Sequence, residues 1–265
     1  MTGDILKKIY AAKALQLENE MRCEPYGSVR DRALASVPGR RPFLAALEAG
    51  GGNAIVAEIK RASPSAGLIA RDFDPIALAQ TYERAGVEAI SILTEADHFL
   101  GDIATVPRVR AAVGKPLLRK DFLTTPYQVA QSAAYGADCI LLIVNGLTEG
   151  QLHDCVAEAQ RYSLDVLAEV HDSDDVDRAL LCGVKFVGVN NRNLRTMETD
   201  LAVSEHLLPA LPEGVFAISE SGMRSFEDVE RLRKAGARGF LIGEALMRSA
   251  NPADLIASFK RVHAN

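Results

Sequence analysis

A single α/β domain, a closed (β/α)8 TIM barrel with an N-terminal helical extension, is the fold this sequence predicts. Three observations predict it. Eight short apolar runs rich in β-branched residues lie at 55–60, 89–93, 116–120, 139–144, 165–170, 186–190, 215–220 and 239–242, and successive runs begin 21 to 34 residues apart. Helical patterns fill the gaps, for example 75–85, 126–135, 149–161 and 226–235, and strands alternating with helices at this spacing build βαβ units on a parallel sheet. A short theme also recurs: Ala85-Gly86-Val87, Tyr135-Gly136-Ala137, Cys182-Gly183-Val184 and Ala235-Gly236-Ala237 each put a glycine just past a helix, where a left-handed residue is wanted, and then enter a strand. Eight strand–helix units favour closure over a doubly wound open sheet. The 265 residues suit one such barrel, which typically runs to ~250 residues, with 1–46 as the extension and 47–265 as the barrel.

In the extension, Ile5, Leu6, Ile9, Ala12, Leu15 and Leu17 recur near helical spacing, so a helix is expected from 4 to about 21. Arg40-Arg41-Pro42-Phe43 leads into a second short helix over 44–49, and Gly50-Gly51-Gly52 ends it. The first helix is expected to lie across the active face, with Arg40 and Arg41 leaning over the mouth. The barrel strands should be apolar throughout, since both of their faces are covered. The exceptions fall at their C-terminal ends: Glu58-Ile59-Lys60 on the first, Arg119-Lys120-Asp121-Phe122 on the third, Glu169-Val170-His171 on the fifth, Asn190-Asn191-Arg192 on the sixth and Ser219-Glu220-Ser221-Gly222 on the seventh. That end is the catalytic face of such a barrel.

Lys plus Arg is 30 and Asp plus Glu is 35, a net charge of −5, with 48% hydrophobic and 25% charged residues. This is ordinary globular composition; it excludes a disordered, collagen-like or coiled-coil chain. The acidic balance argues against a nucleic-acid or membrane-surface partner, which would need a basic field. No apolar segment follows the charged N-terminus, so no signal peptide is expected. The longest apolar run, 139–144, is far short of the ~20 residues of a membrane helix. Cys23, Cys139, Cys155 and Cys182 form no CxxC pair and read as reduced thiols of a cytoplasmic protein.

Residues two apart on a strand share a face. Glu58 and Lys60 therefore point with Val56 into the barrel, and Ile55, Ala57 and Ile59 toward the helices. The simplest register rings one mouth with Glu58, Lys60, Lys120, Glu169, Asn190 and Glu220. Buried ion pairs stabilise little once desolvation is counted, so such a ring is better explained by catalysis than by bracing, and lysines crowded there suit general-acid work. A second signal lies after the seventh and eighth strands, where Glu220-Ser221-Gly222 and Ile242-Gly243-Glu244 offer glycines whose N–H groups can approach a phosphate. A third is the loop over 62–72, longer than a usual βα turn and containing Ser63-Pro64-Ser65-Ala66-Gly67; long loops on this face are lids or substrate contacts.

These residues resemble the indole-3-glycerol-phosphate synthase family. The resemblance rests on Glu58-Ile59-Lys60-Arg61-Ala62-Ser63-Pro64-Ser65-Ala66-Gly67, Ser91-Ile92-Leu93-Thr94-Glu95, Leu118-Arg119-Lys120-Asp121-Phe122, Val189-Asn190-Asn191-Arg192-Asn193-Leu194, Ser219-Glu220-Ser221-Gly222 and Leu241-Ile242-Gly243-Glu244-Ala245-Leu246-Met247, in family order over nearly the whole chain. It implies a lyase of tryptophan biosynthesis that converts 1-(2-carboxyphenylamino)-1-deoxyribulose 5-phosphate to indole-3-glycerol phosphate, carbon dioxide and water. A small sugar-phosphate substrate is implied, with no metal and no organic cofactor. It makes Lys120 the acid for ring closure and Lys60 the holder of the substrate carboxylate or phosphate, with a share in dehydration. Glu58 and Glu169 become acid/base carboxylates, Glu169 also positioning Lys120. Asn190 and Ser221 join the catalytic set. Arg192 and Asn190 would bind the anthranilate carboxylate or sugar hydroxyls. Phe99, Phe122, Leu141 and Leu194 would line an apolar slot, and Ser63 and Glu220 would contact substrate. Ser221, Gly222, Gly243 and Glu244 would hold the phosphate through backbone N–H groups, the Glu244 side chain turning away to cap the following helix. A monomer is expected. Three other readings stay open: the isomerase barrel that acts on phosphoribosylanthranilate, against which no cysteine stands at a strand end; an aldolase using Lys120 as a Schiff-base nucleophile; and a non-catalytic sugar-phosphate-binding barrel.

Overall fold

In the computed structural model, which describes residues 5–261, eight parallel strands close into a barrel. They are β1 (Ala54–Ile59), β2 (Ala89–Leu93), β3 (Leu117–Lys120), β4 (Cys139–Ile143), β5 (Asp165–Val170), β6 (Phe186–Asn190), β7 (Phe216–Glu220) and β8 (Gly239–Ile242). Each strand pairs with its sequence neighbours, and β8 closes on β1 with Ala54 opposite Gly239. The helices are α1 (Ile5–Cys23), α2 (Tyr26–Ser36), α3 (Phe43–Glu48), α4 (Pro75–Arg84), α5 (Thr105–Ala112), α6 (Pro126–Ala134), α7 (Glu149–Arg161), α8 (Ser173–Leu181), α9 (Ala202–Leu207), α10 (Phe226–Lys234), α11 (Glu244–Arg248) and α12 (Pro252–Phe259). All eight expected strands form, to within a residue at each end. The expected start of the first helix, at Asp4, lies outside the described residues.

The alternation along the strands separates two cores. Val56, Leu118, Leu141, Leu167 and Leu241 fill the barrel, whereas Ile55, Ala57 and Ile59 face the helices and pack with Ala79 and Tyr82 of α4. Helix starts are capped where the sequence puts short polar residues: Thr148 with Gln151 at α7, and Ser225 with Asp228 at α10, each form reciprocal caps.

The extension holds the barrel at both ends. α1 lies at the C-terminal mouth: Ile9 is buried in the inner core and Tyr10 stands edge-on to Phe122 at 5.7 Å. α3 closes the opposite end, where Phe43 and Leu47 are fully buried and Phe43 packs 6.0 Å from Phe186. α2 runs along the outside against α6. The mixed pattern Tyr26-Gly27-Ser28-Val29-Arg30-Asp31-Arg32-Ala33 gave little warning of α2, because only Val29 and Ala33 are buried on it.

Arg40 and Arg41 do not lean over the mouth. Arg40 donates to the carbonyls of Ala137 and Tyr162. The Arg41 N–H donates to Asp138 Oδ1 (2.8 Å) and its guanidinium to the carbonyls of Lys115 and Arg110. Those carbonyls lie in the last turn of α5 and in the segments that lead into the strands, so both arginines brace the closed bottom.

Candidate active site

The mouth opens into a cavity of about 560 Å³, the size of a small-ligand pocket. Every residue named above as a catalytic or substrate-binding candidate lines it: Glu58, Lys60, Ser63, Phe99, Lys120, Phe122, Leu141, Glu169, Asn190, Arg192, Leu194, Glu220, Ser221, Gly222, Gly243 and Glu244. The pleat does this: the inward positions of β1, β3, β5, β6 and β7 rise from an apolar floor and end in polar groups at one height.

The charged groups form two clusters. At the end of β1, Lys60 Nζ stands 2.5 Å from Glu58 Oε1. Across the mouth, Lys120 Nζ stands 2.5 Å from Glu220 Oε2 and 3.3 Å from Glu169 Oε2, while Asn190 Nδ2 donates to Glu169 Oε1 at 2.9 Å. All three carboxylates are buried. Burial works against the Lys120 ammonium, but Glu220, Glu169 and Glu58 outweigh it and raise its pKa above the ordinary lysine value. Burial pushes the Glu220 carboxyl up to about 7, opposed by Lys120 and reinforced by Glu169. Burial acts the same way on Glu169, yet Lys120, His171 and the Asn190 amide hold it below the usual carboxylate range. Lys120 is thus a retained cation beside one carboxyl poised to exchange a proton near neutrality and one that stays ionised, an arrangement suited to general acid–base work.

Glycines make the room. A Cβ on Gly243 would collide with the Glu58 carboxylate, and one on Gly188 in β6 with the carboxylate of Glu220. Gly188 carried no signal in the sequence, since a glycine inside an apolar run reads only as a weak strand residue. At the end of β7, Ser221 and Gly222 both have positive φ, 66° and 89°. Asn191 Nδ2 holds that turn by donating to Ser219 Oγ and to the carbonyls of Glu220 and Ser221, at 2.9, 3.0 and 3.0 Å. The sequence marks Asn191 only as one of three polar residues at a strand end; its value as a buried brace is visible only in three dimensions.

The other wall is apolar. Phe99 and Phe122 lie 6.0 Å apart, beside Leu141, Ile143 and Leu194. Glu95 fixes Phe99 by accepting its N–H at 2.9 Å. In the 62–72 loop, Ala62–Ser63 pairs with Gly67–Leu68 as a small hairpin, and Ser63 Oγ accepts the Ala66 N–H at 3.2 Å.

Glu244 departs from expectation. It opens α11, but its side chain does not cap that helix; it lies 3.1 Å from Arg248 Nε and 3.7 Å from Arg192 Nη2. Two guanidiniums nearby outcompete the helix N–H groups for the carboxylate. Arg192 also donates to the Met197 carbonyl at 3.1 Å. Cys23, Cys139, Cys155 and Cys182 are all free thiols, and none lines the cavity.

The family model described as indole-3-glycerol phosphate synthase matches residues 6–259. Proteins of that name are similar over most of the chain. One from Chromobacterium violaceum is 42% identical over 258 residues, covering 96% of this chain and 97% of the relative. One from Koribacter versatilis is 48% identical over 214 residues, covering 80% and 82%. Among solved structures, a 3-hexulose-6-phosphate synthase superposes with a TM-score of 0.61 at 18% identity, covering 78% of this chain and 98% of its own; that likeness shows the fold alone.

Proposed function

Since the chain belongs to the indole-3-glycerol phosphate synthase family, carboxy-lyases of tryptophan biosynthesis, we propose that it closes the indole ring at this mouth with Lys120 as the first acid. The substrate is 1-(2-carboxyphenylamino)-1-deoxyribulose 5-phosphate. Its aromatic carbon attacks the ribulose ketone, and the ketone oxygen takes a proton from Lys120 as the carbon–carbon bond forms. Carbon dioxide then leaves, and its bonding pair returns to the ring. The new hydroxyl departs as water with a proton from a second acid, while a carboxylate removes the proton that completes the indole. Glu58 and Glu169 supply the acid/base carboxylates, and Lys60 holds the substrate carboxylate or phosphate and assists dehydration. Glu220, closer to Lys120 than Glu169 is, acts as its positioning partner and proton reservoir.

The observation that carries this reading is the Lys120 ammonium held by Glu220 and Glu169 above the apolar floor. A cation so held is a poor Schiff-base nucleophile, which needs a free amine, so the acid role is preferred to the aldolase alternative. The apolar wall around Phe99 and Phe122 takes the aromatic ring. The Ser221–Gly222 turn and the Gly243–Glu244 backbone take the phosphate, and Arg192 with Asn190 takes the anthranilate carboxylate or sugar hydroxyls, a guanidinium suiting a planar carboxylate. Binding of that carboxylate requires Arg192 to exchange Glu244 for it. A monomeric, cytoplasmic enzyme is proposed; among the described residues no helix is long and apolar enough to cross a membrane.

Lys120→Ala is expected to lower turnover by ~10²-fold or more while substrate still binds. Near-normal turnover would remove Lys120 as the acid. A borohydride-trapped substrate adduct on Lys120 would favour the aldolase reading instead.

A further inference from the structure

His171 is a partly buried titratable group that none of these steps uses. It leaves β5 two residues beyond Glu169, on the same side of the strand direction. Its Nε2 lies 3.6 Å from Glu169 Oε1, is shut off from solvent and makes no hydrogen bond. Its Nδ1 lies 3.1 Å from the terminal amide of Asn145, whose oxygen rather than its NH2 must face the ring once Nδ1 carries a proton, and 3.7 Å from Asp175 Oδ2. Asp175 is set by accepting the His171 backbone N–H at 3.0 Å, with Arg178 Nη1 3.9 Å away on its other oxygen. The groups that face the ring are therefore Glu169 on β5, Asp175 on α8, the neutral amide of Asn145 after β4, and, at longer range, Glu220 on β7. Burial alone would discharge the ring; Asp175 and Glu169 outweigh it and raise its pKa above the ordinary histidine value.

Glu169 needs such a partner. Its Oε2 faces Lys120, but Lys120 stands closer to Glu220, so the lysine's charge is divided between two carboxylates. A buried carboxylate with half a cation tends to take up a proton. Its other oxygen, Oε1, meets Asn190 and His171.

We propose that His171 is a positioning residue for the reaction: as an imidazolium clasped between Asp175 and Glu169, it keeps the Glu169 carboxylate ionised and aimed at Lys120 below neutral pH. This rests on the reading of Glu169 as an acid/base carboxylate. Above the histidine's pKa the clasp relaxes, but there the pH itself keeps Glu169 ionised. The effect therefore belongs to the acid limb of the activity profile.

The test is the pH dependence of kcat in His171→Gln and His171→Lys. Loss of a cation this close should move the acid limb up by about one pH unit or more in His171→Gln, and the permanent cation of His171→Lys should return it to the wild-type position. A structural role alone would lower activity without moving the limb. A second measurement does not depend on turnover. Because coupling is reciprocal, Glu169→Gln should lower the NMR-titrated pKa of His171 by a comparable amount. An unmoved acid limb in folded His171→Gln, or an unchanged His171 titration in Glu169→Gln, would overturn the proposal. Full turnover in Glu169→Gln would instead discard the role given to Glu169, and with it the catalytic half of this inference.

Discussion

At the scale of single residues, the mouth depends on charges that cannot relax into water. Glu220 has its pKa raised to about 7 in the folded protein by burial, against an ordinary value near 4.3. A raised carboxyl contributes stability that is fully present below its unfolded pKa and is lost as pH rises through about 7. Glu220→Gln cannot lose that contribution. Its Tm should therefore gain on the wild type by a few degrees between pH 5 and pH 8, at roughly 2–4 °C per kcal/mol for a chain of this size; scanning calorimetry at the two pH values checks it, and a constant gap would contradict the protonation state given to Glu220. Gly243→Ala tests crowding instead. The added methyl would displace the Glu58 carboxylate from its place beside Lys60. A displaced side-chain tip costs the fold little, whereas a misplacement of about 1 Å can cost ~10²-fold in rate. Steady-state kinetics beside a melting curve should show turnover falling with Tm nearly kept. The alternation rule made Glu58, Lys60, Lys120, Glu169, Asn190 and Glu220 legible in the sequence, because polar residues at the ends of apolar runs stand out. Gly188, Asn191 and the Arg192–Glu244 contact were not legible, because each matters through a neighbour distant in sequence.

At the scale of elements, the extension does two jobs that its sequence does not separate. α1 reaches the catalytic end through a buried ion pair: Lys13 Nζ lies 2.8 Å from Asp121 Oδ1, and both groups are almost fully buried. Asp121 also accepts from Arg119 and from Thr94 Oγ1, at 3.1 and 2.6 Å, directly after Lys120. The helical spacing over 4–21 announced a helix, but a lysine among alanines announced nothing, since lysine is rarely buried unless paired. Lys13→Met leaves part of the Asp121 charge unpaired and should destabilise by roughly 3 kcal/mol, read by urea unfolding. No loss would mean that α1 docks by its apolar residues alone. α3 belongs to the other end, and the expected boundary between residues 46 and 47 runs through it. A deletion made there would remove Phe43 from the barrel floor. Deleting residues 1–24 spares α2 and α3, and should leave a folded barrel with a raised KM, because Tyr10 no longer backs Phe122; unchanged kinetics would show that α1 does not serve the mouth.

At the scale of the whole molecule, the barrel order was legible because eight runs, their spacing and the recurring glycine turn all agree. The placement of the extension was not, because Arg40 and Arg41 look equally ready for a substrate phosphate or for a row of carbonyls. Their partners decide it: carbonyls at the bottom of the barrel accept from both half-buried guanidiniums. The result is a rigid ring of strands closed below by α3 and braced above by α1, which keeps the two charged clusters facing each other across one cavity. We propose that this cavity makes indole-3-glycerol phosphate through Lys120. The most direct test is to mix the protein with the carboxyphenylamino-deoxyribulose phosphate and follow indole fluorescence, against a low background because the chain has no Trp. A rising signal with the wild type that is lost in Lys120→Ala is the predicted result. No signal despite substrate binding, or an equal signal from Lys120→Ala, would contradict it.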